Sequence, residues 1–169
     1  IVTASIDGAA LWLNKGDGTF DQQPLLDESK HRWITSVAIA DLNLDMAPDI
    51  FLVGYLAGED LHSRLCDDGG GRAAMCLPAI FEAEPDVFLV NTGNGSFVDQ
   101  STSLPESNRE GKGLGLLVHR GGLPNLSVVI ANDTTPNNVL VHHGPDSWLD
   151  RGFESGLALS GLGKPEGSM

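Results

Sequence analysis

The run LWLNKGDGTFDQ, Leu11 to Gln22, returns as FLVNTGNGSFVDQ, Phe88 to Gln100, and in decayed form as LVHHGPDSWLD, Leu140 to Asp150. A chain that repeats one such unit folds as copies of one supersecondary element, each burying its apolar face against a neighbour. In every copy an alternating apolar strand enters a turn and a second strand returns. Gly16, Asp17 and Gly18 in the first copy, and Gly93, Asn94 and Gly95 in the second, readily take the positive φ that tight hairpins demand. Phe20, Phe97 and Trp148 are then expected as the aromatic plug of each unit.

A second element follows each aromatic at nearly constant distance. Phe20 precedes Asp41 by 21 positions (41 − 20), and Phe97 precedes His119 by 22 (119 − 97). Before these points lie the matching strands SVAIAD and GLGLLVH. After them a loop leads to the apolar strands DIFLVG and SVVIAND. Strand, loop, strand, hairpin, strand is the content of a propeller blade. The 21 glycines and the short bursts of Val and Ile agree with an all-β class. Residues 1–169 therefore read as one incomplete β-propeller region of four-stranded antiparallel blades. It holds two to three repeats, and both termini fall beside the same point of the unit, so a fragment of a larger propeller is expected. The opening IVTASIDGAALWL lacks the charged n-region of an intact signal peptide.

Between two of these strands lies ADLNLDMAPDIFLV. At alternate positions it carries Asp41, Asn43, Asp45 and, after Ala47, Asp49. Such a row is either a solvated Asx-rich turn or a cage for a hard cation, because alternate side chains of a tight loop can converge and calcium takes six to eight oxygens.

Taken together, LNKGDGTF, NTGNGSF, VAIADLNLDMAPDIFLV and VVIANDTTPNNVLVHHG resemble the FG-GAP/VCBS repeat family, and most closely its branch with cartilage acidic protein and bacterial UnbV-type proteins. The resemblance covers almost the whole chain outside an insertion from about Ala57 to Glu84. It implies a β-propeller, secreted or at the cell surface, whose relatives mostly bind proteins or glycans, while some related propellers are polysaccharide lyases. It also implies a calcium loop of the form D-x-[D/N]-x-[D/N]-G-x-x-D. Asp41, Asn43, Asp45 and Asp49 match its side-chain positions, and the Ala47 carbonyl would fill the backbone position. Three carboxylates and an amide suit Ca²⁺ and give little reason to hold Zn²⁺. The family glycine is replaced by Met46, which is strained if the position needs positive φ, and Pro48 stiffens the turn. The equivalent second loop, His119 to Ser127, has Gly121, Leu123 and Ser127 at the ligand positions, and no calcium is expected there.

A net charge of −13 argues against nucleic acid as a partner. No apolar stretch approaches the ~20 residues of a membrane-spanning helix. Cys66 and Cys76 flank DDGGGRAAM, and they are open to a disulfide, to two free thiols, or to a weaker zinc site with His62. Asn132 and Asp133 in ANDTTPNN read as a turn, with contact to a neighbouring blade as the alternative. Asn94, Asn125 and Asn132 head N-x-[S/T] sequons, and His142 and His143 are expected to point to opposite faces of a strand. GLGKPEG lacks the spacing of a phosphate-binding loop. The functional expectation is a calcium-stabilised binding or scaffolding module for a protein or glycan ligand. It would be secreted, surface-bound or periplasmic, and would dock on the remaining blades of its own or an associated chain. The alternative is a polysaccharide lyase or hydrolase on the same scaffold. Any specificity of its own is expected in the 57–84 insertion.

Overall fold

The computed structural model of the chain describes residues 1–27, 30–61, 63–120, 126–144 and 147–164. Among the described residues strand takes up 46% and helix 9%, so the all-β class holds. The first sheet is a meander of β1 (Val2–Ser5), β2 (Gly8–Asn14) and β3 (Phe20–Pro24). The second starts with β4 (Ile34–Ala40) and β5 (Asp49–Gly54). It is interrupted by the insertion, which carries β6 (Leu56–Ala57), β7 (Leu65–Asp67), β8 (Ala73–Met75) and β9 (Glu82–Ala83). It is completed by β10 (Val87–Gly93) and β11 (Ser96–Asp99) in the order β11-β10-β5-β4. After the single turn α1 (Ser107–Glu110) comes the third sheet: β12 (Gly113–His119), β13 (Ser127–Asn132), β14 (Asn138–His142) and β15 (Trp148–Asp150). The turn α2 (Gly152–Ser155) follows. Neighbouring strands in all three sheets run antiparallel. None of the sheets is closed on itself.

The repeat sets the stacking of the three sheets. β5 and β10 are apolar at successive positions because the middle sheet is buried on both faces. Phe51, Val53 and Phe88 meet Val128, Ile130, Leu140 and Trp148 of the third sheet. Ile50, Leu52, Val87 and Leu89 form a second cluster with Val2, Ala4 and Ala9 of the first. Register gives three equivalent cross-strand pairs, Val2↔Leu11, Phe51↔Phe88 and Val129↔Val139. In the first two sheets this face meets the next sheet. In the third, neither core cluster includes Val129, Val141 or their neighbour Leu117, which is 61% exposed.

The same logic explains the plugs. Phe97 packs toward the first sheet and Trp148 toward the second. Phe20 differs from expectation: it is 41% exposed, because no further described sheet covers the corresponding face of the first sheet. The hairpins have the expected positive-φ turns at their glycines and at Asn94, but not at Asp17. Gly16, Gly18, Gly93, Asn94 and Gly95 all have φ between 56° and 92°.

Inserting some thirty residues between adjacent strands of one sheet requires that both ends of the insertion be pinned. The Tyr55 amide donates to the Trp33 carbonyl and the Glu84 amide to the Tyr55 carbonyl. The Gly54 amide donates to Asp86 Oδ1 at 2.9 Å. Arg32 joins the Glu84 carboxylate and the Pro85 carbonyl. The insertion's own β7–β8 hairpin is closed by a Cys66–Cys76 disulfide. This settles the open cysteine reading and removes the free-thiol and zinc alternatives. His62 lies outside the described residues.

The closest backbone approach is at Gly54, where a Cβ would lie 2.1 Å from the Glu84 carbonyl oxygen. Backbone cannot yield as a side chain does. Gly54→Ala is expected to destabilise the protein by about 2–3 kcal/mol, read as a lower urea midpoint at unchanged slope; a midpoint equal to that of the parent would contradict this packing.

Candidate functional site

The loop from β4 to β5 owes its shape to its own side chains. The Asp45 amide donates to both Asp41 Oδ1 and Asn43 Oδ1, each at 3.0 Å. The Met46 amide donates to the other Asp41 oxygen at 3.1 Å. Asn43 Nδ2 donates to Asp45 Oδ2, and Asp45 Oδ1 accepts from the Ala47 amide, both at 2.8 Å. Oxygens of Asp41, Asn43 and Asp45 are thus drawn around one short arc of backbone. Ala47 is half-buried at its end.

Asp49 stands apart from that group. It is wholly buried. Its Oδ2 accepts from the Leu42 and Asn43 amides, at 3.0 and 3.3 Å, and its Oδ1 from the Asn91 amide at 3.0 Å. One carboxylate therefore ties both ends of the loop to β10. Burial raises the Asp49 pKa, the three amides oppose that rise, and the nearby Asp45 charge adds a smaller push upward. Such a carboxylate costs several kcal/mol to bury unless its oxygens are paired, and each one is.

The arc follows the pattern of a calcium loop. Side-chain oxygens at positions 1, 3 and 5, a turn residue at 6 and a backbone carbonyl at 7 are what an oxygen-lined Ca²⁺ loop uses. Met46 stands at the turn position with φ 73°, and Leu44 at φ 67°. The left-handed turn is made without glycine, at a cost of about 1–2 kcal/mol for each such residue. Among the described residues, none of the Asp41, Asp45 and Asp49 carboxylates is paired with Lys, Arg or His. No three His, Cys, Asp or Glu side chains among them are grouped to hold a metal ion on their own. A cation here would need the Asn43 amide oxygen and the Ala47 carbonyl as well.

Other sequence candidates resolve differently. Asn132 ends β13 and Asp133 opens the bend after it, in which Thr134 has φ 61°, and Asp133 also reaches across to Tyr55, whose hydroxyl donates to it at 2.8 Å. The Asn132 side chain is buried, with Nδ2 donating to the Pro136 carbonyl and to Asn138 Oδ1, so its sequon offers no accessible nitrogen. Asn125, Gly121 and Leu123 lie outside the described residues, as does the end of GLGKPEG. His142 is buried edge-on against Trp148, 5.1 Å between ring centres.

One group had no sequence signal. Asp86, immediately before β10, is buried; it accepts from the Gly54 amide and from Asn108 Nδ2, the latter at 2.7 Å. Burial pushes its pKa up to about 7, against the pull of these donors and of Arg32. Only the fold brings residues 32, 54, 86 and 108 together.

Compared with known proteins, the chain matches no family model, no curated protein and no solved structure.

Two outcomes follow from this geometry. Met46 is 92% exposed, so Met46→Gly relieves the turn without loss of packing. A gain of about 0.5–1 kcal/mol is expected in calcium-free urea unfolding. Asp86 has a raised folded pKa, so the stability it contributes is full below its unfolded value near 4 and is lost as pH rises through about 7. Asp86→Asn should flatten the pH dependence of unfolding between pH 4 and 8 by a few kcal/mol, on the order expected for a shift of this size; parallel profiles would show that the carboxyl is not held neutral.

Proposed function

We propose that the chain is a run of β-propeller blades of the FG-GAP/VCBS kind, stabilised by calcium, that works outside the cell as a binding or scaffolding module for a protein or glycan partner. The recurrence of one face three times carries the reading. Val2–Leu11 and Phe51–Phe88 each receive the next sheet, and the equivalent pair Val129–Val139 repeats the apolar pattern, with Val139 buried and Val129 half-buried beside the exposed Leu117. A further blade, from the same or an associated chain, would complete it as the third sheet completes the second. Buried inward-facing rows with polar loops at the sheet ends are how a propeller presents ligands with a binding surface. The Cys66–Cys76 bond fits an oxidising compartment. Among the described residues no helix is long and apolar enough to cross a membrane.

In this reading Asp41, Asn43, Asp45 and the Ala47 carbonyl would hold Ca²⁺, and Asp49 would brace them from below. The ion would neutralise carboxylates that have no basic partner among the described residues, and would fix the β4–β5 loop. Its role is structural, with no chemistry on a substrate. Position 6, where the left-handed turn is made by Met46, is where affinity would be lost relative to a glycine loop.

Calorimetric titration with Ca²⁺ tests it. One saturable site is expected. At a free Ca²⁺ concentration a hundredfold above Kd, a rise of roughly 5–10 °C in melting temperature should follow. Asp45→Ala should abolish both, while Asn94→Ala, in the opposite hairpin, should change neither. If neither heat nor stabilisation appears, the arc is an Asx-rich turn and the calcium reading fails.

A further inference from the structure

A cleft of about 930 Å³ opens between residues 25–27 and 30–33, the start of the insertion and the near face of the second sheet. That size is within the range of ligand pockets, near its upper end. Its floor is aliphatic and aromatic, from Leu25, Leu26, Leu89 and Phe97, which belong to or pack on the second core cluster. Its walls are charged. Asp27, Glu59, Glu84 and Asp99 line it together with Lys30 and Arg32, four carboxylates and two fixed cations, a net of −2 (2 − 4) leaving His31 aside. Arg32 is already bound to Glu84 and to the Pro85 carbonyl, and His31 leans out to Asp7 at 3.2 Å.

The lining indicates what fits. A neutral glycan is best held on an open aromatic plate, but Trp33 stands edge-on to Tyr55 at 5.0 Å and Phe97 is half-buried, packed against the core cluster. An apolar floor under a carboxylate rim instead matches a chain segment that alternates apolar and basic side chains. The net charge of −13 would draw such a segment in and repel acidic ones.

We propose that this cleft is the ligand site of the module, and that it takes an extended peptide segment carrying Lys or Arg beside Leu, Ile, Val or Phe. The insertion supplies one wall, so its place between β5 and β10 serves to build this site. The proposal rests on the reading of the chain as a binding module, and it requires neither calcium nor a closed propeller.

Panning a phage-displayed random dodecapeptide library on the full chain tests it. Enriched peptides should combine basic and apolar residues. Their affinity should fall about five- to tenfold in Glu59→Lys, rise by a similar factor in Lys30→Glu, and weaken with added salt. Both positions are exposed, so each variant should keep the parent melting temperature, which is checked in parallel. Peptides lacking basic residues, or binding indifferent to both charge reversals, would overturn the cleft while leaving a binding module elsewhere on the chain. If no peptide is enriched, the peptide proposal falls; saturable glycan-array binding under the same conditions would replace it and keep the module.

Discussion

Everything else in the structure hangs on the two-sided burial of β5. All six residues from Asp49 to Gly54 are buried. Ile50 and Leu52 point one way, Phe51 and Val53 the other, as the two-residue period of a strand requires. One strand thereby belongs to two cores. At roughly 25 cal/mol per Å² of apolar surface, burying side chains of this size is worth about 2 kcal/mol each, and a register slip of one residue would exchange the two sets at once. Three sheets therefore act as one body, although each is only three or four strands wide.

That arrangement leaves strict demands at the ends of β5, which fall where the chain leaves the sheet. At its start the Asp49 carboxylate meets amides from Leu42, Asn43 and Asn91. At its finish Gly54 donates to Asp86. A buried acid thus closes each end, one joining the loop to β10 and the other joining the two sides of the insertion. Neither acid sits opposite a lysine. Burial raises the proton affinity of both carboxyls, and the neutral amide donors, joined at Asp86 by the more distant Arg32 charge, only partly oppose it. The first sheet and the third reach the middle one by side chains, and by polar links such as Thr35 Oγ1 to the Gly113 carbonyl at 2.7 Å.

Much of this was legible in the sequence where the interaction is local. The Gly16–Gly18 and Gly93–Gly95 turns need only their own φ angles, and they mark off the strands on either side of them. The row Asp41, Asn43, Asp45 was legible too, because a tight loop brings alternate residues together without help from the rest of the chain. Long-range polar contacts were not. Nothing in the chain's spacing joins Tyr55 to Asp133 or Asp86 to Gly54 and Asn108, since those pairs exist only after the sheets have stacked. Asp49 was the instructive case. In the one-dimensional pattern it is one more oxygen of the row, whereas in three dimensions it is a buried brace whose oxygens accept backbone amides. Phe20 was misread for a related reason. The pattern shows that it is the plug of its unit, and cannot show whether a neighbouring sheet is there to receive it.

The loop and the insertion divide the labour of the middle sheet. The loop leaves β4 and must return within eight residues, so it is made rigid by its own side chains and accepts left-handed backbone at Leu44 and Met46. Strain of that kind persists only where the surroundings over-determine the conformation. Here they do, since Asp41 holds two amides of the turn and Asp49 two amides next to it. The insertion has the opposite problem, a long excursion with little core of its own. It is fixed at its root by backbone bonds and the Arg32–Glu84 pair, and in its hairpin by a covalent bond. A rigid root with a cross-linked tip can vary in surface sequence without disturbing β5.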